Sequence, residues 1–379
     1  MAASLVTHVA KGHQTSNHID FPIAFEQFHD LPETNQRLLG EHHPSGTVTP
    51  LALRPSSQLE DIQLHVVVHT LESLQRQDLP IHGAEDFGKF AHAFGYKLHE
   101  IIGIVVDRPL LAPKVAPANE SPKEVLIYNH NESPQVPHAP EYVFFYNHKA
   151  LSKGGESPIS SSLELFHRAK NEIPESIQEL TGEGILSRVT YKFDKQYTGG
   201  STLQQACGKD FLEGDSVATK RTKIEAQIAR YGRGKHTTWE WIDDGVVLTH
   251  RLPAIRGQPG TGLPTLFTGL AAYWKNSQGG NGARKEVTKQ LYGDGTPIPD
   301  KYLEHLAKIT DEIRVLHNWQ QGDVLVFDNV IAQHGRQPWE GEQSDRVVLA
   351  RIPTLFDGDS VPGAYGDGDW VQVVQALDG

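Results

Sequence analysis

A histidine and a glutamate lie two positions apart in the segment NHNES, residues 129–133. His130 and Glu132 both carry side chains that bind divalent transition metals, but a metal site needs a further ligand from elsewhere in the chain. The alternative is that both are solvated loop residues, because asparagine and serine are common in turns. The segment alone leaves half of a metal site and an ordinary loop as open alternatives.

A third ligand has to be selected by its setting, because the chain contains 20 histidines. His334 ends DVLVFDNVIAQH, in which Asp328-Asn329 separates two apolar stretches. Arg346 opens a further β-branched strand, RVVLARI. An arginine that faces inward from a strand is costly to bury without an anion. A histidine and an arginine on neighbouring strands therefore predict a pocket for a metal and a carboxylate, unless Arg346 pairs with an internal acid.

Composition limits the classes of function that the pocket can serve. The 379 residues are 38% hydrophobic and 22% charged, which is enough for a large core. A net charge of -12 without a lysine- or arginine-rich run argues against nucleic acids and anionic membranes as main partners. The single cysteine, Cys207, excludes an intrachain disulfide and a cysteine-based zinc site. We expect a cytoplasmic protein with no signal peptide and no membrane span.

The elements that must position these residues are short strands with a few inserted helices. Apolar and β-branched runs predict strands at 64–72, 101–109, 140–150, 246–255, 323–334 and 345–353. Helical spacing predicts helices at 83–98, 160–174, 215–232 and 300–316, of which 215–232 is expected to be solvated. Many short strands with few helices favour a jelly roll or barrel over a doubly wound sheet.

At this point the chain resembles the clavaminate synthase-like branch of the TauD/TfdA family of iron(II)/2-oxoglutarate oxygenases. The resemblance spans roughly residues 60 to 355 and rests on four motifs in the family's order: NHNES, KGGESPISSS, QPGTGLPTLFTGL and WQQGDVLVFDN…HGR…R. It implies mainly β structure with added helices (α+β), built on a double-stranded β-helix with helical and loop inserts. It also implies iron(II) as cofactor, with 2-oxoglutarate and dioxygen as cosubstrates.

The resemblance assigns roles by position. It implies three catalytic iron ligands: His130, Glu132 and His334. Arg346 would form a bidentate salt bridge with the distal carboxylate of 2-oxoglutarate, for which a guanidinium is suited. Ser157, in GGESP, stands where the family usually has a threonine that donates to the same carboxylate. Arg336 is a further candidate for cosubstrate binding, and its alternative role is to brace the end of its strand.

The substrate is less well defined by the sequence. The family often has a second arginine four residues after the first, but here that position is Ala350, and Arg351 follows where a regular strand would direct it away. We expect hydrogen abstraction from a C–H bond of a small, amino-acid-derived molecule, leading to hydroxylation, desaturation or cyclisation in natural-product biosynthesis. The alternatives are a catabolic dioxygenase for taurine-like sulfonates or carboxylates, a zinc hydrolase and a non-catalytic jelly-roll binding protein.

The domain organisation follows from the spacing of the motifs. The chain between Glu132 and His334 is longer than one jelly roll needs. We therefore expect a flexible N-terminus over residues 1–20 and a single oxygenase domain over 21–379. Within it, a lid-type insert lies inside 175–300 and covers the mouth of the barrel. The sequence does not predict the oligomeric state.

Overall fold

The fold is seen in a computed structural model. It describes residues 25–28, 37–38, 48–49, 51–55, 73–76, 81–92, 96–99, 110–113, 115–118, 121–137, 139–151, 153–193, 202–208, 210–231, 236–258, 262–278, 288–351 and 353–354. The strands predicted at 64–72 and 101–109 and the flexible segment predicted at 1–20 lie outside the described residues.

The described residues alternate between short strands and helices. The first strands are β1 (Phe25–Phe28), β2 (Arg37–Leu38), β3 (Val48–Thr49), β4 (Leu51–Pro55), β5 (Ser73–Arg76), β6 (Lys97–Leu98), β7 (Ala116–Pro117), β8 (Ile127–His130), β9 (Tyr142–Lys149) and β10 (Ser157–Ser161). The later strands are β11 (Ile185–Lys192), β12 (Thr237–Ile242), β13 (Gly245–Leu252), β14 (Ile255–Gly257), β15 (Pro264–Leu266), β16 (Thr288–Tyr292), β17 (Val315–His317), β18 (Val324–Asp328), β19 (Ala332–Arg336), β20 (Val347–Arg351) and β21 (Pro353–Thr354). The α-helices are α1 (Ala84–His92), α2 (Ser162–Glu172), α3 (Pro174–Glu183), α4 (Leu203–Cys207), α5 (Val217–Tyr231), α6 (Leu270–Gln278) and α7 (Asp300–Ile313).

Two sheets form the barrel. One has the order β1-β4-β5-β18-β9-β20-β7 and the other the order β17-β10-β19-β8. Along the chain, β7 to β10 alternate between the two sheets, and β17 to β20 alternate again, which is the connectivity of a jelly roll. One apolar cluster joins side chains of both sheets: Val143, Ile159, Val315, Leu325, Phe327, Ala332 and Val348. The prediction of a mainly β jelly roll with added helices is confirmed.

Strand β18 shows why its sequence is apolar throughout. Leu325 and Phe327 belong to the cluster between the two sheets. Val324 and Val326 point to the opposite face, where they pack in a second cluster that includes aromatic residues of α1. Because side chains alternate across a strand, a strand that is covered on both faces reads as a continuous apolar run.

A long insert separates the two halves of the barrel. Between β10 and β17 lie α2 to α7 and a second four-stranded sheet of order β12-β13-β11-β16. Helix α7 buries the apolar face predicted for it, namely Leu303, Leu306, Ile309 and Ile313. Helix α5 differs from the expectation of a solvated helix, because Ile224 and Ile228 are buried against the insert sheet. The role of the insert as a lid stays a prediction.

In the part of the chain that the structure describes, no helix is both long enough and apolar enough to cross a membrane.

Candidate metal centre

Three side chains converge at one end of the β8–β19 strand pair. His130 ends β8, Glu132 follows two residues later, and His334 lies in the middle of β19, where it is the direct partner of His130. One ligand atom from each side chain lies within 4.8 Å of the others. Nε2 of His334 is 3.4 Å from Oε2 of Glu132. The structure thus brings two imidazoles and one carboxylate, distant in sequence, into a single cluster.

The cluster lies between the two sheets of the barrel. The ring of His334 contacts Phe145 of β9 and Phe327 of β18, with ring centroids 5.2 Å and 5.3 Å apart. Both aromatic residues belong to the facing sheet, so His334 points into the barrel interior. Only 6% of His334 is exposed. The surroundings therefore restrict water and hold the imidazole in a fixed orientation.

The hydrogen bonding of His130 prepares it to bind a metal. Its Nδ1 lies 2.8 Å from the carbonyl oxygen of Tyr128. A carbonyl oxygen can only accept, so Nδ1 carries the proton and Nε2 keeps its lone pair. Burial lowers the pKa of His130, and the neighbouring His334 lowers it further, whereas Glu132 acts in the opposite direction. The neutral imidazole that a metal requires is the favoured form.

The donor set fits a divalent iron site. Two imidazoles and one carboxylate on one side of an ion are the arrangement of non-haem iron(II) oxygenases, which leave further positions for cosubstrates. The oriented His130 and the buried His334 supply the nitrogen donors, and Glu132 supplies the charge. Among the residues that the structure describes, these three are the ones that could hold the metal.

Arg346 is buried directly before β20, with 4% of its surface exposed. Its Nε donates to the carbonyl oxygen of Gly155 at 2.9 Å. Burial, with a further contribution from nearby Arg336, lowers the pKa of Arg346 to about 9, and Glu156 offsets only part of this shift. Since the net shift disfavours the cation, an additional anion beside Arg346 would be stabilising.

The expectation that His334 and Arg346 occupy neighbouring strands is wrong. His334 lies in β19 and Arg346 directly precedes β20, and these two strands lie in different sheets. On β20, Val348 contributes to the cluster between the sheets. Residue 350 shares its face by alternation. Arg346 therefore lies directly before a strand of the sheet opposite His334.

Ser157 begins β10 and is buried. Ile159, two residues further on the same face, is the direct partner of His334 and belongs to the cluster between the sheets. The hydroxyl of Ser157 accepts a hydrogen bond of 2.9 Å from Nε1 of Trp319. An indole N–H can only donate, so the proton of the serine hydroxyl remains available for another acceptor. Ser157 is thus oriented as a donor on the inward face.

The contacts of Arg336 favour its bracing role. Its guanidinium donates to the carbonyl oxygens of Ser121 at 3.0 Å, Pro122 at 2.7 Å and Val125 at 2.8 Å. It also lies over the ring of Trp339, 4.8 Å from the centroid. The guanidinium that cosubstrate binding would need is therefore already hydrogen-bonded to backbone carbonyls that precede β8. The charge of Arg336 also acts on Arg346, whose pKa it lowers.

The position of the family's second arginine holds no charge. Ala350 is buried and shares the inward face of β20 with Val348. The pairing of β20 with β9 is irregular between Val347 and Val348, but the side chain of Arg351 lies outside the described residues. In the described part of the barrel, the position four residues after Arg346 therefore carries no cation.

The sequence reasoning missed two buried asparagines next to the cluster. Asn131 lies between His130 and Glu132, and Asn329 follows β18; neither is exposed. Both make several hydrogen bonds around the loop that carries Glu132. The available signal was an asparagine placed directly between two candidate ligands, because a polar residue that is buried must satisfy its hydrogen bonds.

Comparison with known proteins gives consistent matches along the chain. A sequence model of the family described as taurine catabolism dioxygenase TauD, TfdA family matches residues 39–352. A clavaminate synthase-like protein of Arabidopsis thaliana is 30% identical over 295 residues, covering 76% of this chain and 83% of that protein. The dapdiamide synthesis protein DdaC of Enterobacter agglomerans is 27% identical over 252 residues, covering 64% of this chain and 70% of that protein. A crystal structure of a taurine dioxygenase from Burkholderia xenovorans is similar at 13% identity and a TM-score of 0.45, covering 91% of this chain and 100% of that one.

Proposed function

The chain belongs to the taurine catabolism dioxygenase TauD, TfdA family, and on this premise we propose that His130, Glu132 and His334 hold the iron with which it oxidises a small, amino-acid-derived molecule. The family membership and the enzyme class predicted from the sequence are confirmed. The protein is a non-haem iron(II)- and 2-oxoglutarate-dependent dioxygenase. The observation that carries the assignment of residues is the convergence of the three side chains within 4.8 Å inside the barrel.

The protein's part in the reaction is to hold and orient the metal ligands and to exclude water from the site. When bound, the iron with 2-oxoglutarate and dioxygen supplies the oxidation that removes a hydrogen atom from a C–H bond. His130 presents Nε2 because its Nδ1–H is engaged by Tyr128. Phe145 and Phe327 pack on His334 and keep that side of the site apolar. Preorganised ligands in a dry cavity are the protein's main contribution to metal catalysis.

We assign cosubstrate binding to Arg346 and Ser157. A dicarboxylate in the barrel would stabilise the charge of the buried guanidinium, whose pKa is lowered mainly by desolvation. The hydroxyl of Ser157 faces inward, with its proton available because Trp319 donates to its oxygen. A flat two-donor fork and a hydroxyl together suit a carboxylate better than a point charge does.

The substrate class that we propose is a small molecule derived from an amino acid, oxidised in a biosynthetic reaction. Two relatives support this proposal by name, a clavaminate synthase-like protein and a dapdiamide synthesis protein. The taurine-like alternative needs a cation for a sulfonate, and Ala350 stands where the family often has its second arginine. We therefore prefer an amino-acid-derived substrate to a sulfonate. A cytoplasmic location stays a prediction.

The experiment that tests this proposal measures succinate formation from 2-oxoglutarate by the full chain with iron(II) and oxygen. Free amino acids, their amides, short dipeptides, taurine and aliphatic carboxylates serve as candidate substrates, and product is identified by mass. We expect succinate and an oxidised or dehydrogenated product to form in equal amounts with an amino-acid-derived compound. Coupled turnover of taurine, but of no amino-acid derivative, would overturn the substrate class. His334→Ala is the control, and it should form no succinate with any compound.

A further inference from the structure

The ligand Glu132 is not held by a strand. It lies in the connection after β8, two residues beyond the end of the β8–β19 ladder. Ser133, which follows it, has a φ of 54°, in the left-handed region that residues other than glycine seldom adopt. Such a conformation costs about 1 to 2 kcal/mol. Surrounding contacts must therefore hold this loop in place if the carboxylate is to face the two imidazoles.

Asn329 supplies those contacts from the other side of the barrel. Its Oδ1 accepts a hydrogen bond from the backbone N–H of Glu132 at 2.5 Å. Its Nδ2 donates to the carbonyl oxygens of Glu132 at 3.0 Å and Pro140 at 2.7 Å. One side-chain amide therefore satisfies both polar groups of the Glu132 backbone, as a neighbouring strand would do.

Asn329 is itself fixed by Asn131, the residue between the two ligands of the NHNES segment. Nδ2 of Asn131 donates to the carbonyl oxygen of Asn329 at 2.7 Å. Oδ1 of Asn131 accepts from the backbone N–H of Thr268 at 2.8 Å and from Nε2 of Gln333 at 3.2 Å. Both asparagines have no exposed surface. A buried network with all its members bonded is rigid, and it restricts the loop to one conformation.

We propose that Asn329 is a positioning residue of the metal centre, which holds the Glu132 carboxylate in place through the Glu132 backbone. The inference rests on the proposed function, because it takes Glu132 as a metal ligand. Without the amide, the N–H and the carbonyl of Glu132 lose their partners and the left-handed turn at Ser133 can relax. Partners that orient metal ligands typically contribute about 10- to 100-fold to metal affinity.

The test measures metal affinity rather than turnover. The metal-free full chain is titrated with Co²⁺, followed by its visible absorption, for the wild type, Asn329→Ala and Asn329→Ser. Asn329→Ser is the milder change, and its Co²⁺ affinity is the one compared with wild type if the alanine variant does not fold. We expect both variants to bind Co²⁺ about 10- to 100-fold more weakly. Asn147→Ala is the matched control, because Asn147 is also fully buried and donates to a backbone carbonyl, that of Gln320.

The control separates positioning from general destabilisation. Asn147→Ala should lower the unfolding midpoint but leave the Co²⁺ affinity within about threefold of wild type. An Asn329→Ser protein with wild-type affinity, or an equal loss in Asn147→Ala, would overturn the inference. Glu132→Ala distinguishes this failure from failure of the metal centre itself. If Glu132→Ala weakens Co²⁺ binding while the Asn329 variants do not, only the role of Asn329 is refuted; if Glu132→Ala binds normally, both proposals fail.

Discussion

His130 and His334 are direct partners across β8 and β19, and their rings face each other with centroids 4.9 Å apart and planes inclined by 47°. The pair is formed by backbone register, so the spacing of the two imidazoles is a property of the sheet. The position of the Glu132 carboxylate, by contrast, is set by a loop. Substitutions of the residues around the metal centre test how it binds its cosubstrate and how stable its surroundings are.

Ser157 offers a test of cosubstrate orientation. Ser157→Thr keeps the hydroxyl and should leave the KM for 2-oxoglutarate near wild type. Ser157→Val removes a hydrogen bond to a charged group, worth about 1.5 to 3 kcal/mol, so we expect its KM to rise roughly 10- to 150-fold. Steady-state succinate formation measures both variants. Equal KM values for the serine and valine proteins would show that the hydroxyl does not contact 2-oxoglutarate.

Arg346 should not tolerate replacement by lysine. A lysine lacks the flat two-donor fork, and truncating one side of a buried charge pair costs about 2 to 5 kcal/mol. We therefore expect Arg346→Ala to bind 2-oxoglutarate tens to thousands of times more weakly, and Arg346→Lys to be clearly impaired. Co²⁺ affinity should be unchanged in both, since no metal ligand is altered. Wild-type cosubstrate affinity in Arg346→Ala would separate this arginine from 2-oxoglutarate.

Gly155 controls the position of Arg346. It has a φ of +71°, and a Cβ atom there would lie 2.8 Å from Cδ of Arg346. Gly155→Ala should therefore displace the guanidinium and weaken 2-oxoglutarate binding, in addition to a backbone cost of about 1 to 2 kcal/mol. Gly214→Ala is the control, with a φ of +88° and nothing within 4 Å of the added atom. Both variants should lose stability, but only the first should lose cosubstrate affinity; parallel losses would contradict the steric argument.

Asp328 makes stability depend on pH. Burial raises its pKa from 3.8 to about 6, even though hydrogen bonds from Val330 and Gln258 act in the opposite direction. The folded protein thus holds the proton more tightly than the unfolded chain. The resulting stabilisation is complete below about pH 4 and is lost as the pH rises through 6. Between pH 4 and pH 7, the free energy of unfolding of Asp328→Asn should rise by up to about 3 kcal/mol relative to that of the wild type. Urea unfolding at both pH values measures this gain, and a constant difference between the proteins would refute it.

The sequence predicted the parts that depend on local pattern. The run VLVF, the aromatic strand over residues 142–149 and the apolar face of α7 were all readable, because burial imposes a period on the side chains. The prediction that helix α5 is solvated was wrong because its two buried apolar residues, Ile224 and Ile228, stand among many polar ones. They are buried only because the face of the insert sheet needs a cover.

The contacts that fix the site were not readable, because they join distant parts of the chain. Asn329 and Glu132 are 197 positions apart, and nothing local indicates that they pair. The bracing of residues 121–125 by Arg336 likewise depends on tertiary pairing. The sheet to which each strand belongs is decided in the same way, which is why the expectation that His334 and Arg346 occupy neighbouring strands was wrong.

The central claim is that His130, Glu132 and His334 bind the iron to which 2-oxoglutarate is added. Adding 2-oxoglutarate anaerobically to the iron(II)-loaded full chain should produce a visible metal-to-ligand charge-transfer band that saturates. His130→Ala and His334→Ala should both lose the band while keeping the wild-type far-ultraviolet circular dichroism. If both folded variants still produced the band with wild-type intensity and affinity, the iron would be held elsewhere and the assignment of the centre would be wrong.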